Sequence, residues 1–179
     1  MVNPYDEGLD RNPANFQPLT PLTFLQRAAT VFPDFTAIIH SDSRYDYRTL
    51  YSRCRRLGSV FSRMGLGRGD TISAMLFNTP AMIEAHYGVP MCGAVLHSLN
   101  TRLDAGTIAF QIDHAESKVL ITDIALLPVI REAMKLAKNS PFIVVYDDPA
   151  YRGSRVTFED IEYENFIADG DEHFSWLMP

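Results

Sequence analysis

Cysteine is scarce in this chain of 179 residues, which contains only Cys54 and Cys92. Two cysteines exclude a scaffold built on several disulfides and a zinc site built from cysteine thiolates. Long apolar runs are also lacking, because no stretch approaches the roughly 18 apolar residues that a membrane span needs. The first residues do not have the basic start and apolar run of a signal peptide. We therefore expect a cytoplasmic protein without a membrane span.

The motifs of several well-known sites are absent as well. The chain has no G-x4-G-K-[ST] phosphate loop, no H-E-x-x-H motif, no EF-hand loop and no G-x-S-x-G motif. Its five histidines are never three or four residues apart, so no metal site on a helix is expected. His86 lies in an apolar segment and is interpreted as a core histidine. Both cysteines are interpreted as packing residues, since no histidine or helix N-terminus is placed to lower their pKa.

The charges of the chain are unevenly distributed. The net charge is −6, yet residues 147–179 alone hold nine acidic residues and two arginines. Seven arginines lie between Arg44 and Arg68, a cluster that could indicate a nucleic-acid surface. Apolar residues recur in the same region at helical spacing, at Leu50, Cys54, Leu57 and Phe61. We therefore favour the solvated face of an amphipathic helix, and expect no nucleic-acid partner.

Segments with strand and helix character alternate from residue 21 onward. The predicted strands are 36–40, 44–47, 71–77, 93–96, 118–122 and 142–146. The predicted helices are 21–31, 48–64, 80–92, a helix capped by Asp104, 124–138 and a short one around 158–163. Such alternation predicts an α/β fold of three layers, with a mostly parallel sheet flanked by helices. The strands 118–122 and 142–146 are apolar throughout, which is typical of strands covered on both faces.

The glycine-rich stretch GLGRGD at 65–70 invites comparison with a phosphate-binding loop. A dinucleotide loop follows a strand and opens a helix, so that the phosphates meet the helix N-terminus. Here the glycines follow a predicted helix and precede a predicted strand. We interpret Gly65 as the end of the helix and the rest as a connection.

The region from His97 to Arg102 is the better candidate for a binding site. Open α/β sheets bind ligands at the carboxyl ends of their strands, and His97 ends a predicted strand, which makes it a candidate for substrate binding. Arg102 follows in a polar turn, where its side chain could hold a phosphate or a carboxylate. It could equally tie the turn to the next helix, and the residues alone leave both readings open. Asp113 and His114 do not predict a catalytic pair, because adjacent residues of a helix point about 100° apart.

A resemblance to a known family rests on a series of short motifs in a fixed order. They are PDFTA at 33–37, YDYRTL at 45–50, GLGRGD at 65–70, NTP at 78–80, GAV at 93–95, NTRL at 100–103 and AESKVLITD at 115–123. In this order and spacing, the chain resembles the N-terminal portion of the AMP-forming acyl-CoA synthetases, within the adenylate-forming ligases. The lead-in NPANFQPLTPLTF at 12–24 is most similar to the branch that acts on short- and medium-chain acids, including methylmercaptopropionate-CoA ligases.

The resemblance implies a reaction in two steps. A carboxylate attacks the α-phosphate of ATP in the presence of Mg²⁺, and the thiol of CoA then displaces AMP from the acyl-adenylate. The phosphate loop, the acidic metal ligand and the lysine of the C-terminal lid are expected after residue 179. No catalytic residue and no metal ligand is therefore expected in this chain, which should be inactive alone and hold no tightly bound cofactor. Arg102 is the one residue carried over, as a contact to a phosphate of CoA, although the family often has proline at the position of Thr101.

The expected organisation has three parts. Residues 1–20 form an extended lead-in, residues 21–147 an α/β subdomain, and residues 148–179 an acidic connection towards the phosphate-loop region. The expected partners are a carboxylic acid, ATP, CoA and the remaining subdomains of the same enzyme, while a homodimer stays open. Two alternatives remain: a naturally truncated, non-catalytic binding or interaction module, and a free-standing flavodoxin-like domain that binds nucleotides.

Overall fold

The structure is a computed structural model that describes residues 7–8, 10–12, 14–153, 156–176 and 178. Residues 1–6, 9 and 13 of the predicted lead-in lie outside the described residues. The helices are α1 (Pro21–Val31), α2 (Tyr47–Arg63), α3 (Pro80–Met91), α4 (Ala105–His114), α5 (Leu127–Leu136) and α6 (Tyr163–Ala168). The strands are β1 (Thr36–His40), β2 (Ser43–Asp46), β3 (Thr71–Met75), β4 (Val95–Ser98), β5 (Val119–Asp123), β6 (Phe142–Tyr146) and β7 (Ile161–Glu162). A 3₁₀ helix, Ile124–Leu126, lies between β5 and α5.

Five parallel strands form the main sheet, in the order β4-β3-β5-β6-β7. The chain goes from β3 outward to β4 and then returns past β3 to β5, so the strand order reverses beside β3. Every residue of β5 is buried, as are the last three of β6. These strands are covered on both faces, and the predicted α/β fold with a mostly parallel sheet is confirmed.

Helices cover both faces of this sheet and complete the three layers. On one face, α2, α3 and α6 pack side chains such as Leu57, Ala85 and Phe166 against the strands. On the other face, α4 and α5 pack Ile108 and Ile130 against the strands. Among the described residues, no helix is both long enough and apolar enough to cross a membrane.

Helix α2 begins and ends within one residue of the predicted bounds, 48–64. The carboxylate of Asp46 accepts a hydrogen bond of 2.7 Å from the backbone N–H of Thr49 and so caps the first turn. After the helix, Gly65 has a φ of 79°, a left-handed conformation that glycine adopts without steric cost. The stretch 65–70 is therefore a helix end and a connection into β3, as predicted.

The α2–α3 contact depends on a residue without a side chain. A Cβ atom added to Gly88 would lie 2.8 to 2.9 Å from three side-chain atoms of Leu57. Helix α3 presents Ala81, Ala85 and Gly88 on this side, and all three are buried. Its other side is exposed at Ile83 and His86, so the expectation of a core histidine at His86 is wrong.

A second, smaller sheet consists of the antiparallel hairpin β1–β2. Ile38 pairs with Tyr45 in this hairpin. Ile38 is buried in a cluster with Leu25 of α1 and Leu50 of α2. The hairpin is thus attached to the α/β unit through one of its faces.

The acidic segment after residue 147 contributes to the main sheet. Ile161 pairs with Val144, which makes β7 the fifth strand of the sheet. The helix expected around 158–163 begins instead at Tyr163, because the carboxylate of Glu162 caps it by accepting a bond from Asn165 N. The α/β arrangement thus continues to Ala168, while the approach to a downstream phosphate loop stays a prediction.

The same acidic segment packs against the arginines of α2. Arg53 pairs with Glu164 at 2.7 Å and Arg56 with Glu172 at 2.9 Å. Arg55 donates a hydrogen bond of 2.9 Å to the carbonyl oxygen of Phe174. The arginine-rich face that was expected to be solvated is therefore partly covered, because the excess acid of one segment lies on the excess base of another.

Candidate functional site

The carboxyl ends of β3, β4, β5 and β6 lie along one edge of the main sheet, because these strands are parallel. The order reverses beside β3, which is the place where open α/β sheets bind their ligands. Four segments leave this edge: 76–79 after β3, 99–104 after β4, 124–126 after β5 and 147–150 after β6. We therefore take the carboxyl edge as the candidate site.

The segment after β4 carries the predicted Arg102. Leu99 is buried and its backbone N–H donates to the carbonyl oxygen of Ala74, which fixes the segment to β3. The side chain of Asn100 then accepts a bond of 2.9 Å from the backbone N–H of Arg102. The Arg102 side chain is exposed, and its guanidinium makes no hydrogen bond or ion pair with any residue that the structure describes. The turn is thus fixed by its backbone while the cation stays available to a ligand.

His97 occupies a different place from the one predicted. Strand β4 continues to Ser98, and the His97 ring lies across from Ser73 of β3, with Nδ1 at 2.9 Å from the Ser73 hydroxyl. The structure therefore does not bring His97 to the end of the strand beside Arg102. A contact between His97 and a substrate stays a prediction.

A chain of two buried hydroxyls determines which ring nitrogen of His97 carries its hydrogen. The hydroxyls of Ser73 and Ser117 are 2.6 Å apart, and both residues are fully buried. If His97 donated to Ser73, one of the two hydroxyl hydrogens, that of Ser73 or that of Ser117, would have no acceptor among the described residues. Ser117 therefore donates to Ser73 and Ser73 donates to His97 Nδ1, which leaves the N–H of a neutral ring at Nε2. Burial, together with the nearby His114, lowers the pKa of His97 and favours this neutral form.

Asp123, at the end of β5, is a buried acid that the sequence reasoning missed. It is 1% exposed, and its Oδ1 accepts a bond of 2.9 Å from the backbone N–H of Ala125. Its Oδ2 has no hydrogen-bond partner among the described residues. Burial raises the pKa of this carboxyl, and the carboxyls of Asp148 and Asp147 raise it further, while the bond from the N–H of Ala125 and the nearby His40 oppose the shift. The sequence did carry a signal for this acid, because Asp123 directly ends an apolar predicted strand.

The hairpin reaches the same edge through His40. Its Nε2 lies 2.8 Å from Oδ1 of Asp148, and both side chains are mostly buried. Asp148 follows β6, so this pair ties the end of β1 to the main sheet. The two acids and His40 form a polar group at the carboxyl edge, with Asp123 on β5 and Asp148 after β6.

A buried ionic network lies behind the edge, between α2, α3 and α6. The guanidinium of Arg53 donates to both oxygens of Glu84, at 2.6 and 3.2 Å, and also to Glu164. Tyr163 donates a hydrogen bond of 2.8 Å to Glu84. Burial raises the pKa of Glu84, and Arg53 opposes that shift. Glu84 was missed because α3 otherwise looks apolar all round in the sequence.

Other features of the chain do not contribute groups for chemistry. Cys54 and Cys92 are both buried, and burial raises the pKa of each thiol, so they act as packing residues as predicted. Within the part of the chain that the structure describes, no group of three or more histidine, cysteine or acidic residues could hold a metal ion.

Comparisons with known proteins agree on one family. Residues 25–172 match the family model described as AMP-binding enzyme. The peroxisomal acetate/butyrate–CoA ligase AAE7 of Arabidopsis thaliana is 39% identical over an alignment of 184 residues. This alignment covers 97% of this chain and 32% of that protein. The acetate–CoA ligase CCL3 of Humulus lupulus is 38% identical over 190 residues, covering 100% of this chain and 34% of that protein. The chain thus spans about a third of the length of the curated relatives that it matches.

Solved structures share the fold. A crystal structure of the anthranilate CoA ligase AuaEII in complex with anthranoyl-AMP matches with a TM-score of 0.79 at 16% identity, over 93% of this chain and 31% of that one. A benzoate CoA ligase from Burkholderia xenovorans LB400 matches with a TM-score of 0.75 at 20% identity, over 88% of this chain and 30% of that one. At these identities the likeness concerns the fold alone.

Proposed function

Because this chain belongs to the AMP-binding enzyme family, we propose that it is the N-terminal portion of an AMP-forming acid–CoA ligase. The observation that carries the proposal is the match of the family model over residues 25–172 together with relatives described as CoA ligases. In the full-length enzyme, a carboxylate oxygen attacks the α-phosphorus of ATP, and the bond to pyrophosphate breaks. The sulfur of CoA then attacks the acyl carbon, and AMP leaves.

In this proposal, residues 1–179 form one α/β subdomain of the enzyme and one side of the entrance for CoA and the acid. Arg102 binds a phosphate of CoA, since its guanidinium is the exposed cation of the turn after β4. The contacts to ATP and Mg²⁺ lie on the chain that follows residue 179. His97 is the candidate for a substrate contact, from within β4, where Ser73 fixes its neutral ring.

The acid substrate is a small carboxylic acid in our proposal. The two relatives named above are described as ligases of acetate or butyrate, and another, from Arabidopsis thaliana, as a benzoate–CoA ligase. Several relatives are described as peroxisomal. The peroxisome is therefore a second candidate location, beside the cytosolic location that the sequence predicts. Imaging of a tagged full-length protein in its own cells decides between the two compartments.

The reaction is tested by ATP–pyrophosphate exchange with a panel of carboxylic acids. We expect exchange that depends on the acid for the full-length protein, and none for the 179-residue chain alone. Exchange by the short chain would overturn our placement of the catalytic groups.

The gene offers a separate test. We expect the reading frame to continue past residue 179 into a segment of the type [Thr/Ser]-Gly-x-Thr-Gly-x-x-Lys. A stop codon directly after Pro179 would contradict the ligase and support a non-catalytic module.

A further inference from the structure

A cavity of about 630 Å³ lies at the amino edge of the main sheet, where β5 and β6 begin. The end of α4, the connection from α4 into β5 and the connection from α5 into β6 line it. These segments lie at the opposite edge of the sheet from Arg102 and the candidate site, because the strands are parallel. We call this cavity the amino-edge pocket. Its volume lies in the range of small-molecule sites.

Hydrogen bonds between the connections hold the walls of the amino-edge pocket together. The carboxylate of Asp113 accepts bonds of 2.8 to 3.1 Å from the backbone N–H groups of Lys138 and Asn139. The side-chain amide of Asn139 donates a bond of 2.6 Å to the carbonyl oxygen of Ser117. The pocket is thus preformed, and the Asp113 carboxylate is already bound within the protein.

One part of the pocket wall is aromatic. Phe110 and His114 lie one turn apart on α4, and their rings stack with centroids 5.7 Å apart and planes at 8°. Phe110 is 66% exposed. An exposed aromatic ring held on a helix is a platform on which a planar ring, such as a nucleobase, stacks.

Two lysines give the pocket unpaired positive charge. Lys118 and Lys138 are exposed, and neither ammonium group makes a hydrogen bond or ion pair with any residue that the structure describes. Lysine is a common ligand of phosphate groups. Glu116 also lines the pocket, and it would repel a phosphate that carried no other group. Its carboxylate can accept hydrogen bonds from sugar hydroxyls, as carboxylates do in ribose binding.

The C-terminal end of α4 does little to repel an anion. The negative end of a helix dipole comes from carbonyl groups that have no donor. Here the carbonyl oxygens of residues 111–113 all accept bonds from the backbone N–H groups of residues 115–117. The two lysines therefore face a helix end whose carbonyl groups are already bonded.

We propose that the amino-edge pocket is a second binding site of this protein and that its ligand is a nucleoside phosphate. The base stacks on Phe110, the phosphate lies at Lys118 and Lys138, and Glu116 accepts hydrogen bonds from the ribose. A nucleoside phosphate uses all of these groups, whereas inorganic phosphate uses the lysines alone. The site is built from residues of this chain only, so the proposal does not depend on the proposed function.

Photolabelling of the full-length protein locates the site. The probe is an AMP analogue that carries a photoreactive azide on its base. Trypsin cleaves after Arg102 and Lys118, so Phe110 and His114 fall within one peptide, 103–118. We expect label in this peptide, on or next to Phe110, and about tenfold less label when excess AMP competes. Label found only in other peptides, or label at 103–118 that AMP does not reduce, would overturn the proposal.

A lysine variant tests the phosphate contact. Lys138→Gln should raise the AMP concentration that halves the labelling about tenfold, because one charge-assisted contact is lost. Lys135→Gln is the matched control, since Lys135 is also exposed but already pairs with Glu132 at 2.6 Å, and it should leave that concentration unchanged. Equal effects of the two variants would overturn the proposal, because they would show only a general effect of charge.

A second variant tests the stacking. Phe110→Ala should lose the label at 103–118 while its thermal unfolding temperature stays that of the parent, because the side chain is mostly exposed. Labelling that survives in Phe110→Ala would overturn the proposal.

Competition distinguishes the sources of the nucleotide. AMP, ATP and CoA all carry an adenosine phosphate, and the one that prevents labelling at the lowest concentration identifies the ligand. Adenosine has no phosphate and should compete at least about tenfold less well than AMP. Competition by adenosine as strong as by AMP would overturn the assignment of a phosphate to the lysines.

Discussion

Arg53 holds the fully buried carboxylate of Glu84 through two hydrogen bonds, of 2.6 and 3.2 Å. A buried charge is tolerated only when it is paired, because removing it from water costs several kcal/mol. The pair joins α2 to α3, and α3 begins at the carboxyl edge of the sheet. The position of the candidate site thus depends on an ion pair in the core.

Removing the arginine should destabilise the protein strongly. We expect Arg53→Met to lower the free energy of unfolding by about 3–5 kcal/mol, because Glu84 is left buried without its partner charge. Arg56→Met is the matched control and should cost at most about 1 kcal/mol, since its pair with Glu172 is partly exposed. Urea unfolding followed by circular dichroism gives both values. A second variant, Arg53→Met with Glu84→Leu, should recover part of the loss, because the buried charge is gone while the buried hydroxyl of Tyr163 loses its acceptor. No recovery would contradict the explanation.

Two aspartates should affect stability with opposite dependence on pH. Burial raises the pKa of Asp123, so the folded state binds its proton more tightly than the unfolded state does. Its contribution is therefore favourable at low pH and is lost as the pH rises through the folded pKa. The backbone N–H groups of Asn139 and Lys138 lower the pKa of Asp113, so that contribution is present at neutral pH and is lost on acidification.

The measurement compares Asp123→Asn and Asp113→Asn with the parent protein by urea unfolding between pH 3 and 7. As the pH rises, Asp123→Asn should gain stability relative to the parent and Asp113→Asn should lose it. Differences that do not vary with pH would show that these carboxyls have ordinary pKa values.

The close approach of α2 and α3 should not tolerate a methyl group. We expect Gly88→Ala to cost about 1–3 kcal/mol, because its Cβ would lie within 2.9 Å of Leu57. Gly67→Ala is the control, since its Cβ would have an ordinary contact of 3.6 Å with the Cys92 carbonyl oxygen. Thermal unfolding of both variants checks the difference. A cost at Gly88 no larger than at Gly67 would mean that the helices are further apart.

The sequence was sufficient for the fold because its signals are local. The apolar β-branched runs at β5 and β6 and the helix cap at Asp104 each depend on a few neighbouring residues. Local signals do not predict which side of an apolar helix is buried. His86 and Glu84 lie two residues apart on α3, yet His86 is exposed and Glu84 is buried. Which side of α3 faces α2 is decided by Leu57 and Arg53 of α2, which lie outside the local pattern of α3.

Of the candidate site, too, one part could be predicted from local sequence signals and another part could not. The turn with Arg102 could be placed from the predicted end of a strand and the cap at Asp104. The ring of His97 could not be placed, because its position depends on Ser73 and Ser117. Ser73 is 24 residues from His97 along the chain, and Ser117 is 44 residues from Ser73. The acidic residues of 147–179 and the arginines of α2 are both evident in the sequence. That the two segments contact each other could not be predicted, because it depends on how the chain folds in three dimensions.

Two histidines should carry their hydrogens on different ring nitrogens. His97 accepts at Nδ1 from Ser73 and so keeps its N–H at Nε2, whereas Nδ1 of His86 donates to the carbonyl oxygen of Met82 at 2.8 Å. Nitrogen and carbon chemical shifts of the two rings, measured by NMR above pH 7.5, should therefore identify opposite tautomers. In Ser73→Ala, the ring of His97 should become a mixture of tautomers while His86 stays unchanged. The same tautomer in both rings would contradict the hydroxyl chain from Ser117.

The free cation after β4 should act on CoA and on neither ATP nor the acid. We expect Arg102→Ala in the full-length enzyme to raise the KM for CoA about tenfold, which corresponds to one lost charge-assisted hydrogen bond. Acid-dependent ATP–pyrophosphate exchange should change little, because that half-reaction does not involve CoA. Arg68→Ala is the matched control: Arg68 is also exposed, but it precedes β3 and so lies at the amino edge of the sheet. An equal loss in both half-reactions would show that Arg102 instead holds the turn between β4 and α4.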